Sequence, residues 1–303
     1  LAIADSSRVS TEAPKGRVGQ WLLDPVDFTI GDAVNGITGA SLATALRTSD
    51  VAISTTGGTV ACAGATCGAG SAGNGDIFVI DNVNVTSAGG AHSLTLQAAR
   101  NIVFTAGKAI TDEAAHPLTV NLQSGGALVF ADNTLAAAPV DAINIHGNLN
   151  GGGLSCTPGA ACTATGNGTY AMGVYVGKWV RLNTNGADIN LAGKAHTAGG
   201  SAGGTYANNP LGLILASHGQ LNGRNVTLYG ESGANFGIQI NYGDTCVGAG
   251  SCTPDTLMSA SGTLSVTGKA TAGNNTGIAL AGSTSTAPTI HLTGVGSGSG
   301  KGL

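Results

Sequence analysis

Residues Gly212–Ile240 read GLILASHGQLNGRNVTLYGESGANFGIQI, and this stretch decides the fold. It opens on Gly-apolar-x-apolar at Gly212-Leu213-Ile214-Leu215. It then passes to apolar-x-apolar-x-Gly at Val226-Thr227-Leu228-Tyr229-Gly230 and returns to the first pattern at Gly237-Ile238-Gln239-Ile240. Such alternation marks half-buried strands. The same two beats occur upstream at Gly173–Val176 and Ile189–Gly193, and downstream at Leu264–Gly268, Gly277–Leu280 and Ile290–Gly294. Where nothing interrupts them, a full turn from Gly212 to Gly237 takes 25 residues. A unit this short cannot bury its own apolar face, so successive units must stack into a common core. The expected fold is all-β: a right-handed parallel β-helix with coils of about 25 residues and extruded loops.

Moving toward the N-terminus, alternating runs continue at Ile77–Ile80, Leu94–Leu96, Ile102–Phe104, Leu118–Val120, Leu128–Phe130 and Ile143–Ile145. The steps Leu94 to Leu118 and Leu118 to Ile143 are 24 and 25 residues and read as one repeat. Gly19–Thr56 departs from the pattern. It holds the apolar run Trp21-Leu22-Leu23, an Asp24-Pro25 break, and an alternating segment at Asp27–Ile30. One short helix follows near residues 38–48, from the spacing of Ile37, Leu42 and Leu46, with Thr38 or Ser41 as its N-cap. Val51–Thr55 then alternates again. Residues 1–18 read as a polar leading segment. Residues 19–303 read as a single β-helix, with loops at 57–76, 147–169, 194–210 and 243–260. The chain begins at Leu1 without a signal peptide, which reads as a processed form or an excised piece.

Composition fits this architecture. The 303 residues include 51 Gly, with only 9% charged and 4% aromatic, against about 25% charged in ordinary domains. Thr, Ser and Asn must therefore supply the solvated faces. The net charge of −4 comes without any basic cluster, which argues against a nucleic-acid partner. No apolar run is long enough for a transmembrane helix. The six cysteines fall into three local pairs, Cys62/Cys67, Cys156/Cys162 and Cys246/Cys252. None has CxxC spacing or a histidine at ligand distance in sequence, so the pairs read as loop-closing disulfides of an oxidising compartment rather than metal ligands. Loops so short would add little global stability.

A second signal is a resemblance. Trp21-Leu22-Leu23-Asp24-Pro25 with Asp27-Phe28-Thr29-Ile30, Leu42 to Leu46 before Val51–Thr55, Gly73-Asn74-Gly75-Asp76-Ile77, and Ser93–Ile102 together resemble the filamentous-haemagglutinin-like exoproteins of bacterial two-partner secretion. The likeness covers roughly residues 18–130; beyond that it is one of repeat style. It corresponds to the region after the N-terminal secretion domain, where the β-helical shaft begins. The resemblance implies export through an outer-membrane transporter partner, and display at the bacterial cell surface or release outside it. That family spans adhesins, haemolysins, haem scavengers and contact-dependent toxins, so it does not fix an activity.

Chemistry-bearing residues are sparse. Carbohydrate-cleaving β-helices need carboxylates gathered on one face. Here the acids are scattered. Asp112-Glu113, the one adjacent pair, reads as a solvated turn, and Asp24, Asp27 and Asp32 read as turn and cap residues. The six histidines share no motif, and His291 should point outward from its strand. There is no nucleophile elbow and no phosphate loop. The four Asn-x-Ser/Thr sites, at Asn84, Asn167, Asn225 and Asn274, are expected by chance in a chain so rich in these residues. Expectations are therefore no enzyme, no cofactor and no metal. The one asymmetry is aromatic: all five tyrosines lie between Tyr170 and Tyr242. The ligand-binding candidates are Tyr175, Trp179, Tyr206, Tyr229 and Tyr242, which could stack on a sugar ring or anchor a protein. The expected function is a structural and adhesive shaft that binds glycan or protein ligands through its loops. A self-assembling filament joined end to end and a carbohydrate-active β-helix are the alternatives.

Overall fold

The computed structural model describes the chain apart from residues 1–2, 5–6, 8, 12–18, 57–73, 87–89, 134–137, 154–162, 168, 197–208 and 243–255. It is a parallel β-helix. Three sheets of parallel strands run its length, and each coil after the first contributes a strand to each in turn. Sheet 1 stacks Gln20–Leu23, Asp50–Ser54, His92–Ala98, Leu118–Ser124, Leu149–Gly153, Ile189–Lys194, Val226–Ser232, Thr263–Ala270 and Thr289–Val295, with Ala164–Thr165 beside the sixth. Sheet 2 runs from Gly36–Ile37 and Phe28–Ile30 to Ile278–Leu280, and sheet 3 from Val83–Val85 to Ser283–Thr286.

The two sequence beats are sheets 1 and 2. Sheet 3 is a third beat that the sequence reading passed over. Val83–Val85, Ile110–Asp112, Val180–Asn183, Gln220–Gly223 and Thr256–Ala260 are short strands without a recurring glycine marker, Gly223 being the only glycine among them. Ile143 belongs to this sheet, beside Ile110, so the 25-residue step from Leu118 joined two different sheets, while the 24-residue step from Leu94 joined two sheet 1 strands out of register, since Leu118 stands against His92. The shortest coils are 25 residues, as expected, set by Ile77 against Ile102 and Leu213 against Ile238; Leu94 to Val120 takes 26. Two predicted loop boundaries also move. Leu149–Gly153 and Ala164–Thr165 occupy part of 147–169, and Thr256–Ala260 ends what was read as a loop to 260. Each is a stretch whose Gly, Ser or Thr content masked its place in a ladder.

The core is built from columns. Val51, Leu94, Val120, Leu149, Ile189, Val226 and Leu264 stand one above another on sheet 1, each fully buried. Phe28, Ile77, Ile102, Leu128, Val174, Leu213, Ile238 and Ile278 do the same on sheet 2. Phe104 and Phe130 are neighbours in the next column, with ring centroids 4.7 Å apart. One apolar cluster runs unbroken from Ile3 to Ile278.

The single helix among the described residues is Gly39–Ala45, as expected, and Thr38 is the cap: its hydroxyl accepts from the Ser41 amide at 3.3 Å. Its position explains its presence. It follows the sheet 2 strand Gly36–Ile37, precedes the sheet 1 strand Asp50–Ser54, and packs against Val83–Val85. It therefore stands where the first strand of sheet 3 would be. Leu42 and Leu46 are fully buried and plug the first coil. Asp81 accepts from the Gly39 amide and ties the helix start to the coil above. Trp21, on the edge strand Gln20–Leu23, packs on the same core, while Leu22 beside it is 60% exposed.

Candidate functional site

The outer face of sheet 1 carries the densest polar constellation. Along a parallel ladder, outward side chains repeat at the strand spacing of about 4.8 Å. Here they form a hydrogen-bonded column. Asn190 donates to Asn150 and Asn150 to Asn121, both at 3.0 Å, and Asn121 reaches Thr95 at 3.4 Å. Thr227, Ser265 and His291 continue the column upward. His291 is exposed, as expected for an outward position. A like column on sheet 3 links Asn84 to Thr111, and Asn183 and Asn185 to Asn144.

Beside the first column lies a charged group. Lys194, Glu231 and Lys269 are register mates on three successive strands. Glu231 lies 3.1 Å from the Lys194 ammonium and 3.7 Å from that of Lys269. The Tyr229 hydroxyl donates to Glu231 at 2.8 Å. Partial burial, then the bond to Glu231 and its charge, push the Tyr229 hydroxyl up to about 12. Burial pulls the Glu231 carboxyl upward, but the bonds from Tyr229 and Lys194 and the two ammonium charges outweigh it and hold the carboxyl below its usual range. The group is thus an ionised carboxylate between two cations.

The other aromatic candidates lie elsewhere. Tyr175 is on sheet 2, only 1% exposed, in a second apolar cluster with Val129, Met172, Leu211 and Ile214 on the outside of that sheet. Its hydroxyl donates to Asp132 at 2.6 Å. Trp179 sits at the corner leading into sheet 3. Tyr175, Trp179 and Tyr229 therefore do not share one face. Tyr206 lies outside the described residues, as do the side chain of Tyr242 and all six cysteines, Cys62, Cys67, Cys156, Cys162, Cys246 and Cys252.

Two arrangements escaped the sequence reading. Trp179 stacks on His218 with ring centroids 3.7 Å apart and planes within 9°. Both backbones adopt φ 59°, a left-handed conformation rare outside glycine. They occupy the same corner of adjacent coils, and their spacing is visible only once sheet 3 is recognised. The second is Asp112, which is no solvated turn. Its carboxylate is fully buried, lies 2.6 Å from Nδ1 of His146, and accepts from the amides of Leu118 and His146. It locks the corner between sheets 3 and 1. Asp32 does behave as a turn residue, accepting from Val34 and Asn35. Asp27 accepts from the amides of Gly75 and Asp76 in the next coil.

No protein-family model, curated protein or solved structure matches the chain. Among the described residues, no three His, Cys, Asp or Glu side chains are grouped to hold a metal, and no helix is long and apolar enough to cross a membrane. A cavity of about 380 Å³ opens at the first coil between Ile3, Val9, Trp21, Ile37 and Arg47.

Proposed function

We propose that the chain is a structural and adhesive shaft segment of a secreted bacterial surface exoprotein. In this reading an outer-membrane transporter partner exports it, and it binds glycan or protein ligands of host, neighbouring cell or matrix by non-covalent contact. The observation that carries the reading is the outer face of sheet 1. A stack of strands holds Asn and Thr side chains in fixed rows, and Tyr229 with Lys194, Glu231 and Lys269 is set beside them. Rows of pre-ordered donors and acceptors on a stiff rod lower the entropy lost when an extended polar ligand binds. The two lysines outnumber the one glutamate, so the group keeps a single net positive charge beside the polar rows. The resemblance of residues 18–130 to two-partner-secretion exoproteins supports export and surface display.

The test is binding of the purified chain to a glycan array and to immobilised matrix proteins, alongside a reducing-sugar assay on the same glycans. Binding without release of reducing ends, lost in Tyr229→Ala or in Tyr206→Ala, is the expected result. Release of reducing ends would replace this reading with the carbohydrate-active one. Full adhesion by both variants would remove the aromatic candidates from the site.

A further inference from the structure

The charges of sheet 1 are gathered in one place. From His92–Ala98 onward, the only Asp, Glu, Lys or Arg in its strands are Lys194, Glu231 and Lys269, which stand in one row across successive coils. The outward row beside them is uncharged, with Asn121, Asn150, Asn190, Thr227 and Ser265 in register. The arginine pairs elsewhere on the rod match one cation to one acid: Arg100 with Asp76, Arg181 with Asp141, and Arg224 with Asp188. Here two cations share one acid, and a single positive charge is left over.

The arrangement turns that charge outward. The Glu231 side chain is 18% exposed, while those of Lys194 and Lys269 are 49% and 46% exposed. Both carboxylate oxygens are engaged: Oε1 lies 3.1 Å from the Lys194 ammonium, and Oε2 accepts from the Tyr229 hydroxyl at 2.8 Å. Lys269, at 3.7 Å from Oε2, is beyond hydrogen-bond distance. An ammonium carries three donors, so donors remain on both lysines for an anion arriving from solvent. Tyr229 has smaller row neighbours, Ala192 and Thr267, which leave room beside its ring. On the strand Ile189–Lys194, Asn190 and Lys194 both face outward, about 13 Å apart at the rise of an extended strand. A ligand crossing the sheet therefore meets a cation at one side and the asparagine row at the other.

This pattern suits a ligand rich in hydroxyls and sparse in charge. A densely charged polymer would set most of its anions against uncharged rows and against Glu231, where they are repelled. A neutral polymer would leave the extra positive charge unmatched. We propose that the outer face of sheet 1 takes an acidic glycan, a polymer of neutral sugars interspersed with uronates, its carboxylate received by the Lys194 and Lys269 ammonium groups and its neutral sugars lying on the row of Asn190, Asn150 and Asn121. The proposal rests on the adhesive reading of this face and narrows it to one chemical class.

Biolayer interferometry with the 303-residue chain tests it against three probes: hyaluronan, which alternates uronate with N-acetylhexosamine; hyaluronan methyl ester, the same polymer with its carboxylates neutralised; and a single-stranded oligonucleotide. Hyaluronan should bind about tenfold more tightly than the ester, the order of one charge-assisted hydrogen bond, and raised salt should narrow the gap. Lys194→Gln combined with Lys269→Gln should bring hyaluronan down to the level of the ester. Glu231→Gln should strengthen hyaluronan binding, since it removes the acid that competes for both lysines; a merely structural ion pair gives no such gain. Circular dichroism checks that each variant keeps the fold. Equal binding of hyaluronan and ester overturns the acidic class and leaves the adhesive reading standing. Tighter binding of the oligonucleotide, a preference that survives in the double lysine variant, or weaker hyaluronan binding by a folded Glu231→Gln also overturns it. So does binding of neither polymer, and the adhesive reading is then decided by the glycan array and the matrix proteins.

Discussion

The corner between sheets 1 and 2 is made in two ways along one molecule. In the coils between Asp27 and Phe130, side chains close it. Arg100 pairs with the nearly buried Asp76, with Nε 2.7 Å from the carboxylate. Asn101 accepts from the Ala127 amide at 2.9 Å. The Ser124 hydroxyl lies 2.6 Å from the Arg100 carbonyl. In the coils from Gly173 onward, glycines close it. Gly193, Gly230, Gly268 and Gly294 form one column on sheet 1. They face Gly212, Gly237, Gly277 and Gly302, so closely that a Cβ at Gly230 would stand 2.2 Å from the Gly237 carbonyl oxygen, far short of van der Waals contact. The backbone path is the same. One half satisfies its corner groups with side-chain polar atoms, and the other brings backbone against backbone.

Exchange of the two solutions breaks the comparison most sharply. Gly230→Ser inserts atoms where a carbonyl already sits, and overpacking of this kind costs about 1–3 kcal/mol. Urea unfolding followed by circular dichroism should show the loss, while Gly233→Ser, whose added Cβ would meet only the Thr271 hydroxyl at 3.3 Å, stays near the parent. Next in size is Asp76→Ala. It strands the Asn101 amide and removes the bond that, foremost, raises the Arg100 guanidinium above its usual range. Leaving buried donors unpaired costs about 1–3 kcal/mol. Hydrogen exchange should then accelerate at Ile77–Val79 and Ile102–Phe104 and not in the glycine-cornered coils. The reverse exchange, Ser124→Gly, should cost only about 1 kcal/mol, the net worth of a hydrogen bond, since glycine is what the C-terminal coils already use there.

The smallest effects are ionic and belong to the C-terminal half. The Asp188 carboxyl is held below its usual range, chiefly by the Arg224 side chain. A depressed carboxyl contributes stability that is present above the unfolded value of about 4 and is lost as pH falls through the folded one. Asp188→Asn should therefore flatten the acid limb of the stability profile below about pH 4. Tyr229, pushed up to about 12, works in the opposite direction. Its contribution is intact below the unfolded value of about 10 and fades as pH rises toward the folded one. In an ultraviolet titration Tyr229→Phe should remove one late-titrating tyrosine. If instead an ordinary tyrosine disappears, the Tyr229–Glu231 bond is wrong.

This contrast also explains what could be read in advance. The repeat was legible in the C-terminal half because glycine is required there and recurs at a fixed step. The resemblance to two-partner-secretion exoproteins was argued from residues in the N-terminal half alone, where the corners are built from distinctive side chains. Sheet 3 was legible in neither. Its strands are short, and its outward Asn and Ser residues resemble turn residues. The helix was predicted from the spacing of Leu42 and Leu46, but not its job of replacing the first strand of sheet 3. Of the site, Tyr229 was singled out. Its neighbours Lys194, Glu231 and Lys269 were not, because nothing in the sequence shows that they are stacked.

Inward against outward is a period of two along a strand, fixed by local geometry. The sequence alone thus determined the buried columns, the parallel stacking and the short capped helix. Which residues meet across coils depends on coil length, and inserted loops change it from 26 to 29 to 40 residues in successive steps along one asparagine column. Those lengths are not written in any local pattern. Only the tertiary structure could decide that Asp112 meets His146, that Trp179 lies on His218, and that three aromatic candidates point from different faces.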